Sequence, residues 1–242
     1  MSNTNNQSAT TVDEIADGIY RLSTPIMIPG TSGFSFNQYL IADEQPLLFH
    51  TGPRALFTQV SQAVASVMPL DKLCYMAFSH MEADECGSLN SWLAAAEGAS
   101  PLCGKVGAMV SIGDFADRPP VALDDGQLLS LGRHSVRWYD TPHLPHAWDC
   151  GFLMEEHTST LLCGDLFTQE GANLAPITES DILAPSEAFR KKMDYFSHTT
   201  NAGAMLETLA GTDPITLACM HGSAWRGNGR ELLLALSDAL AT

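Results

Sequence analysis

The sequence predicts an α/β fold in four layers, αββα, with two sheets packed face to face and helices outside. Three observations predict it. Hydrophobic residues make up 45% of the 242 residues and charged ones only 17%, enough apolar material for a sizeable core. Short apolar runs of strand character dominate two stretches, one in the first half and one between residues 127 and 163. Segments of helical spacing follow several of these runs, and that mixture sets helices against sheets.

Taken in order, Met1 to Thr11 is polar, with neither an apolar core nor a basic start. It reads as a disordered tail rather than a secretory signal, leaving residues 12–242 as a single domain. Gly18 to Leu22, Phe36 to Ala42 and Pro46 to Phe49 read as strands, the last ending at the turn signal Thr51-Gly52-Pro53. Arg54 to Val67 carries Leu56, Val60, Val64 and Val67 at helical spacing. Leu73 to Phe78 is an apolar strand, Cys86 to Ala96 a helix and Lys105 to Val110 a strand. Gln127 to Leu131, Ser135 to Tyr139, Gly151 to Met154 and Thr160 to Cys163 read as four strands separated by turns. Helices are expected over Ser186 to Phe196, Thr199 to Leu209 and Arg230 to Leu240, with a last strand at Ile215 to Cys219.

Composition removes several function classes. Twelve Lys and Arg against 28 Asp and Glu leave a net charge of −16. Nucleic acid is excluded as a partner, because phosphate binding needs clustered cations. No run approaches the roughly 18 apolar residues of a membrane span, and the negative charge repels anionic membranes. The six cysteines include no Cys-x-x-Cys pair. They read as free thiols in a reducing cytoplasm, and no iron–sulfur module is expected within the chain.

The chemistry gathers where strands end. His80-Met81-Glu82-Ala83-Asp84-Glu85 follows the strand Leu73 to Phe78, so its side chains fall at a sheet edge. In an extended segment, alternation sends His80, Glu82 and Asp84 in similar directions. One imidazole and two carboxylates at that spacing suit a metal centre. Thr141-Pro142-His143-Leu144-Pro145-His146, Cys163-Gly164-Asp165 and Met220-His221-Gly222 each follow another apolar strand. A lone histidine is usually a packing or surface residue, and His134, His157 and His198 are read so. Four strand ends with candidate ligands form a series.

These residues resemble the metallo-β-lactamase fold, and within it the diiron domain of flavodiiron proteins and their oxygen-binding relatives. His80, Glu82 and Asp84 match a His-x-Glu-x-Asp pattern, with Glu82 where the hydrolases of that fold carry a second histidine. Cys86-Gly87-Ser88-Leu89, the stretch His221 to Arg226 and the stretch Phe36 to Ile41 are similar to that branch as well. Eighteen residues separate His146 from Asp165, a spacing that also fits and that favours His146 over His143 as ligand. The resemblance implies that His80, Glu82 and His146 hold one metal, that Asp84 and His221 hold a second, and that Asp165 bridges them. Carboxylate-rich sites with few imidazoles suit iron or manganese, whereas zinc favours more nitrogen and sulfur. Two iron ions are therefore expected, with manganese or zinc as substitutes.

Three departures from the family pattern stand out. Glu85 occupies the place of a histidine, and either ligates there or leaves the second metal more open. His50 precedes Thr51-Gly52 where the fold often has Asp, and is either a partner of a ligand or structural. No flavin domain is expected in this chain, so electrons are expected from a separate donor. Asp149 is expected to hydrogen-bond a ligand histidine, and Trp148, Phe167, Tyr195 and Trp225 read either as ordinary core or as the wall of a small dry pocket suited to a diatomic gas. The leading reading is a non-haem diiron protein that binds, senses or reduces dioxygen or nitric oxide. The alternatives are a dinuclear hydrolase of esters, lactones or thioesters, in which metal-bound water attacks, and a scaffold that no longer takes metal. A homodimer is left open.

Overall fold

The computed structural model describes residues 10–241, so most of the tail expected over Met1 to Thr11 lies outside the described residues. Two seven-stranded sheets form the frame. The first has the strand order β1 to β7. Its strands are β1 Thr11–Ala16, β2 Ile19–Ile26, β3 Phe34–Ile41, β4 Leu47–Phe49, β5 Tyr75–Ala77, β6 Ser100–Gly104 and β7 Val121–Leu123. The second has the order β12-β14-β13-β11-β10-β9-β8. It is built from β8 Leu128–Ser130, β9 Ser135–Asp140, β10 Gly151–Glu155, β11 Thr160–Leu162, β12 Ile177–Thr178, β13 Thr216–Ala218 and β14 Ala224–Arg226.

Period-two alternation sorts the side chains into three apolar layers. Tyr39, Phe49, Ala77 and Leu102 of the first sheet meet Trp138, Leu153, Leu162 and Ala218 of the second. Their neighbours point outward. Leu40, Leu48 and Met76 pack against Val60 and Val64 of α1 (Phe57–Val67). After the single turn α2 (Ala83–Cys86), Leu89, Trp92 and Leu93 of α3 (Leu89–Ala95) join that layer. On the far side, Phe152, Leu161 and Leu217 pack against Leu206 and Leu209 of the helix Ala202–Ala210 and Leu233 and Leu236 of the helix Gly229–Leu240. The four layers of the sequence reading are present.

Several elements differ from expectation. Thr11 already lies in β1, inside the expected tail. Lys105 to Val110 is helical rather than extended: α4 (Lys105–Gly107) runs into a π-turn over Ala108–Ile112 and then α5 (Gly113–Phe115). The strand lies just before it, at Ser100–Gly104, pairing parallel to β5. The apolar run misled because Val106, Met109 and Val110 face solvent, Met109 with 79% of its surface exposed. The helix expected over Cys86 to Ala96 is split between α2 and α3, and the one expected over Ser186 to Phe196 starts earlier, as α6 (Leu183–Met193). Among the described residues, no helix is long and apolar enough to cross a membrane. All six cysteines are free.

Candidate metal centre

Four strand ends meet at one edge of the sandwich. From β5 the chain passes through Ser79 and His80 to an extended Glu82, and α2 then carries Asp84 and Glu85 in its first turn. The loop after β9 brings His146, the loop after β11 brings Asp165 and the loop after β13 brings His221. Gly164 makes one of these approaches feasible. Its φ is +50°, and a Cβ there would stand 3.1 Å from the Ser79 side chain and 2.9 Å from Phe152. The turn thus lies directly on the segment that carries His80.

The polar atoms form two adjoining groups. His80 Nε2 and His146 Nε2 lie 3.0 and 2.9 Å from Glu82 Oε2, and 3.9 and 3.5 Å from Asp165 Oδ2. One atom from each of these four residues lies within 4.8 Å of the others. His221 Nε2 lies 3.4 Å from Asp84 Oδ2 and 3.3 Å from Asp165 Oδ1. Glu82, Asp84 and Glu85 make a second group of atoms within 4.8 Å of one another. Asp165 therefore faces one group with Oδ2 and the other with Oδ1.

Charge shapes the site. Hydrogen bonds from His146 and His80 pull the half-exposed Glu82 down to about 2. Burial disfavours a charged Asp165, yet the surrounding imidazoles hold its carboxyl well below the usual range. Burial likewise works against a charged His221, but Asp165 and Asp84 outweigh it and push the imidazole up to about 9. Glu85 goes the other way: burial, then the charges of Asp165 and Asp84, raise its carboxyl well above the usual value. Both Glu85 oxygens are buried with no N–H or O–H donor group facing them; their side-chain contact is with Asp84, a second carboxyl, and Oε2 lies 4.0 Å from His80 Nε2. A buried carboxylate without a partner is costly, and a cation at this cluster would remove the cost. The carboxylate-rich donor set and these orphaned oxygens fit a metal centre.

The residues behind the cluster orient it. His221 Nδ1 donates to the Ser35 carbonyl at 2.8 Å, so Nε2 is the nitrogen that faces Asp84 and Asp165 and that would ligate once a cation displaces its proton. His80 Nδ1 lies 3.0 Å from Ser79 Oγ, which in turn lies 3.1 Å from Nε2 of the buried His50. His50 is thus linked to a ligand candidate through Ser79, and burial lowers its pKa to about 3. Asp149 accepts from the backbone N–H of Met81 at 3.1 Å, so it braces the loop between His80 and Glu82 instead of bonding a histidine. His143 is solvent-exposed and stands outside the cluster, its backbone N–H bonding Ala147. His134 is buried against Glu155, and His198 is exposed beside Asp194.

The aromatic surroundings differ from the expected four. Tyr195 packs edge-on against His146 at 5.9 Å and donates its hydroxyl to the Asp165 carbonyl at 3.0 Å. Phe167 belongs to the outer core, Trp148 is 57% exposed, and the Trp225 indole bonds the Ser180 carbonyl. Phe34 and Phe36 take their place against the His221 ring, at 4.3 and 5.3 Å, and Phe189 joins Phe34 to Tyr195. Ser79 and Ser35 were also unmarked in the sequence, although each adjoins a segment that was: Ser79 precedes His80, and Ser35 precedes the Phe36 to Ile41 run.

Fold and site together define a metallo-β-lactamase-like domain with two adjoining, carboxylate-rich groups of candidate metal ligands. A family model described as "ODP family beta lactamase" matches residues 34–222, and the chain belongs to that family. The rubredoxin-oxygen oxidoreductase of Megalodesulfovibrio gigas is 28% identical over 207 residues, 81% of this chain and 50% of that protein. An anaerobic nitric oxide reductase flavorubredoxin of Salmonella arizonae is 24% identical over 83% of this chain and 43% of that protein. The chain spans about half the length of these relatives. Among solved structures, the flavodiiron protein from Giardia intestinalis superposes with a TM-score of 0.80 at 22% identity, over 97% of this chain and 60% of that one. A fragment, residues 1–254, of a putative diflavin flavoprotein from Nostoc gives a TM-score of 0.80 at 17% identity and is covered to 94%.

Proposed function

We propose that this domain is a non-haem diiron protein that binds dioxygen or nitric oxide and reduces it with electrons from a separate donor. The observation that carries the reading is Asp165, whose two oxygens face two different groups of ligand candidates at 3.3 and 3.5 Å. His80, Glu82 and His146 would hold the first metal, and Asp84 and His221 the second. Asp165 would bridge them, offsetting the repulsion between two cations. Glu85, with two buried oxygens that no donor group faces, would complete the second site where the resembling family has a histidine. Four carboxylates against three imidazoles favour iron or manganese over zinc. The names of the relatives, an oxygen oxidoreductase and a nitric oxide reductase, support reduction of a gas over hydrolysis.

When bound, two ferrous ions supply electrons to a diatomic ligand and positive charge to hold it. The chain's own residues do the rest. The Ser35 carbonyl fixes the His221 ring, and Tyr195 ties the Asp165 backbone to the wall beside His146. Phe34, Phe36, Phe189 and Tyr195 line the side between His221 and His146 with apolar surface, which limits water there.

Anaerobic purification, metal analysis and an absorption spectrum before and after air test the reading. The expected result is two iron ions per chain and a spectral change on exposure to oxygen or nitric oxide. One metal or none in carefully reconstituted protein would overturn it.

A further inference from the structure

His50 is fully buried, yet its backbone adopts φ +65°, a region that non-glycine residues enter rarely and that recurs at functional sites. Its amide donates to Ala77 at 2.7 Å and its ring lies against Phe49 at a centroid distance of 4.2 Å, so both backbone and ring are held. Nε2 faces Ser79 Oγ at 3.1 Å, and Ser79 Oγ faces His80 Nδ1 at 3.0 Å. Nδ1 of His50 has no hydrogen-bond partner among the described residues. Nothing on the far side of the ring therefore selects its tautomer, and the Ser79 side alone does.

A chain of two imidazoles and a hydroxyl can run in two directions. In one, His80 Nδ1–H donates to Ser79 Oγ and the Ser79 hydroxyl donates to His50 Nε2. His80 Nε2 is then a bare lone pair aimed at Glu82, Glu85 and Asp165. In the other, His50 Nε2–H donates to Ser79, Ser79 donates to His80 Nδ1, and His80 Nε2 carries the hydrogen that it donates to Glu82 Oε2 at 3.0 Å, which a cation must displace. A carboxylate at position 50 could only accept, and would fix the first direction by itself. An imidazole does so only as the Nδ1–H tautomer. We propose that His50 is a positioning residue for the metal at His80: through Ser79 it accepts the hydrogen bond that holds His80 as its Nδ1–H tautomer, leaving Nε2 free to ligate. Its own tautomer is thereby coupled to metal loading.

This inference rests on the ligand assignment of His80, and the test separates the two. Zinc-loaded protein is diamagnetic, so long-range nitrogen–proton correlation spectra report which ring nitrogen of each histidine carries hydrogen. The expected spectrum shows His80 and His50 both protonated at Nδ1, with His80 Nε2 shifted by the metal. In Ser79→Ala the link is cut, and His50 reverts to a mixture of tautomers. Zinc affinity provides the second measurement. Ser79→Ala and His50→Asn, the latter chosen because Asn tolerates a left-handed backbone, should each weaken binding at that site about 10- to 100-fold. The double variant should bind no more weakly than the weaker single one, since both cut one chain. A zinc-loaded protein with His50 protonated at Nε2, or losses that multiply in the double variant, would overturn the relay while leaving the metal site standing. A protein in which zinc does not perturb His80 Nε2 would overturn both.

Discussion

Replacing Glu85 by Gln should have opposite effects on the metal-free and metal-loaded protein. The Glu85 side chain is fully buried, and one of its oxygens lies within 4.8 Å of one oxygen each from Asp84 and Glu82. Two unit negative charges 4.8 Å apart repel by about 3.5 kcal/mol at an effective dielectric of about 20. Only the buried side of the cluster is counted, because Glu82 is half exposed and screened. The carboxyl is raised above its ordinary value in the fold, so holding it ionised costs stability. That cost is absent in acid, where the group is protonated in both states, and grows as pH rises through and beyond the ordinary carboxylate range. At pH 8 it is capped at about 5 kcal/mol, since beyond that the folded protein takes up the proton instead. Gln keeps the shape and removes the charge.

The metal-free Glu85→Gln protein should therefore be more stable than the parent at pH 8 by about 3.5 to 5 kcal/mol. For a chain of this length that corresponds to a Tm higher by about 10 °C, with the difference vanishing near pH 4. In the loaded protein the sign reverses, because the same charge now faces cations, and the second metal should bind at least about tenfold more weakly. Thermal unfolding of chelated protein across pH, paired with metal titration, measures both. A metal-free variant no more stable than the parent, together with unchanged affinity for the second metal, would show that Glu85 does not belong to the cluster.

Asp165→Ala should lose both metals, whereas His221→Ala should retain the first, and the metal-to-protein ratio after desalting distinguishes them; full occupancy in Asp165→Ala would disprove the bridge. Gly164→Ala places a Cβ 2.9 Å from Phe152 and 3.1 Å from Ser79 at a positive φ. It should cost about 1–3 kcal/mol and reduce metal occupancy with it, and thermal unfolding together with metal analysis of the variant checks both; parent-like stability would mean that the turn has room to relax.

The centre was legible in the sequence to the extent that the chain writes it as strand ends. Buried strands such as Thr160–Leu162 and Thr216–Ala218 are short apolar runs, and the first polar residue after each marks the sheet edge. Hence Asp165 and His221 could be picked out one by one, and the resemblance supplied their partnership. The same signal failed at Lys105 to Val110, where apolar residues are exposed and the run belongs to no sheet. It also passed over Ser100–Gly104, whose Pro101 weakens a strand reading although the structure seats it beside Met76. Two of the four aromatic candidates were misplaced for a related reason. Closeness in sequence to a ligand pointed to Trp148 and Trp225, whereas the rings against His221 come from β3, some 186 residues away along the chain.

The two departures that sequence reading could not resolve, His50 and Glu85, meet at the same place. The Thr51 backbone N–H, next to His50, donates to the Glu85 carbonyl at 2.6 Å. One departure adds a buried acid to the cluster, and the other replaces an acid behind it. Set against the pattern of the resembling family, the negative charge stands at the face of the cluster instead of behind His80, with the same sum at these two positions. A carboxylate facing the metals stabilises the ferric state more than one standing behind a ligand, because it lies closer to them. Glu85→His should on that account raise the reduction potential of the centre, and the double variant Glu85→His with His50→Asp should restore part of the difference by returning the charge to its more distant position. A redox titration giving one potential for all three proteins would show that neither residue senses the metals.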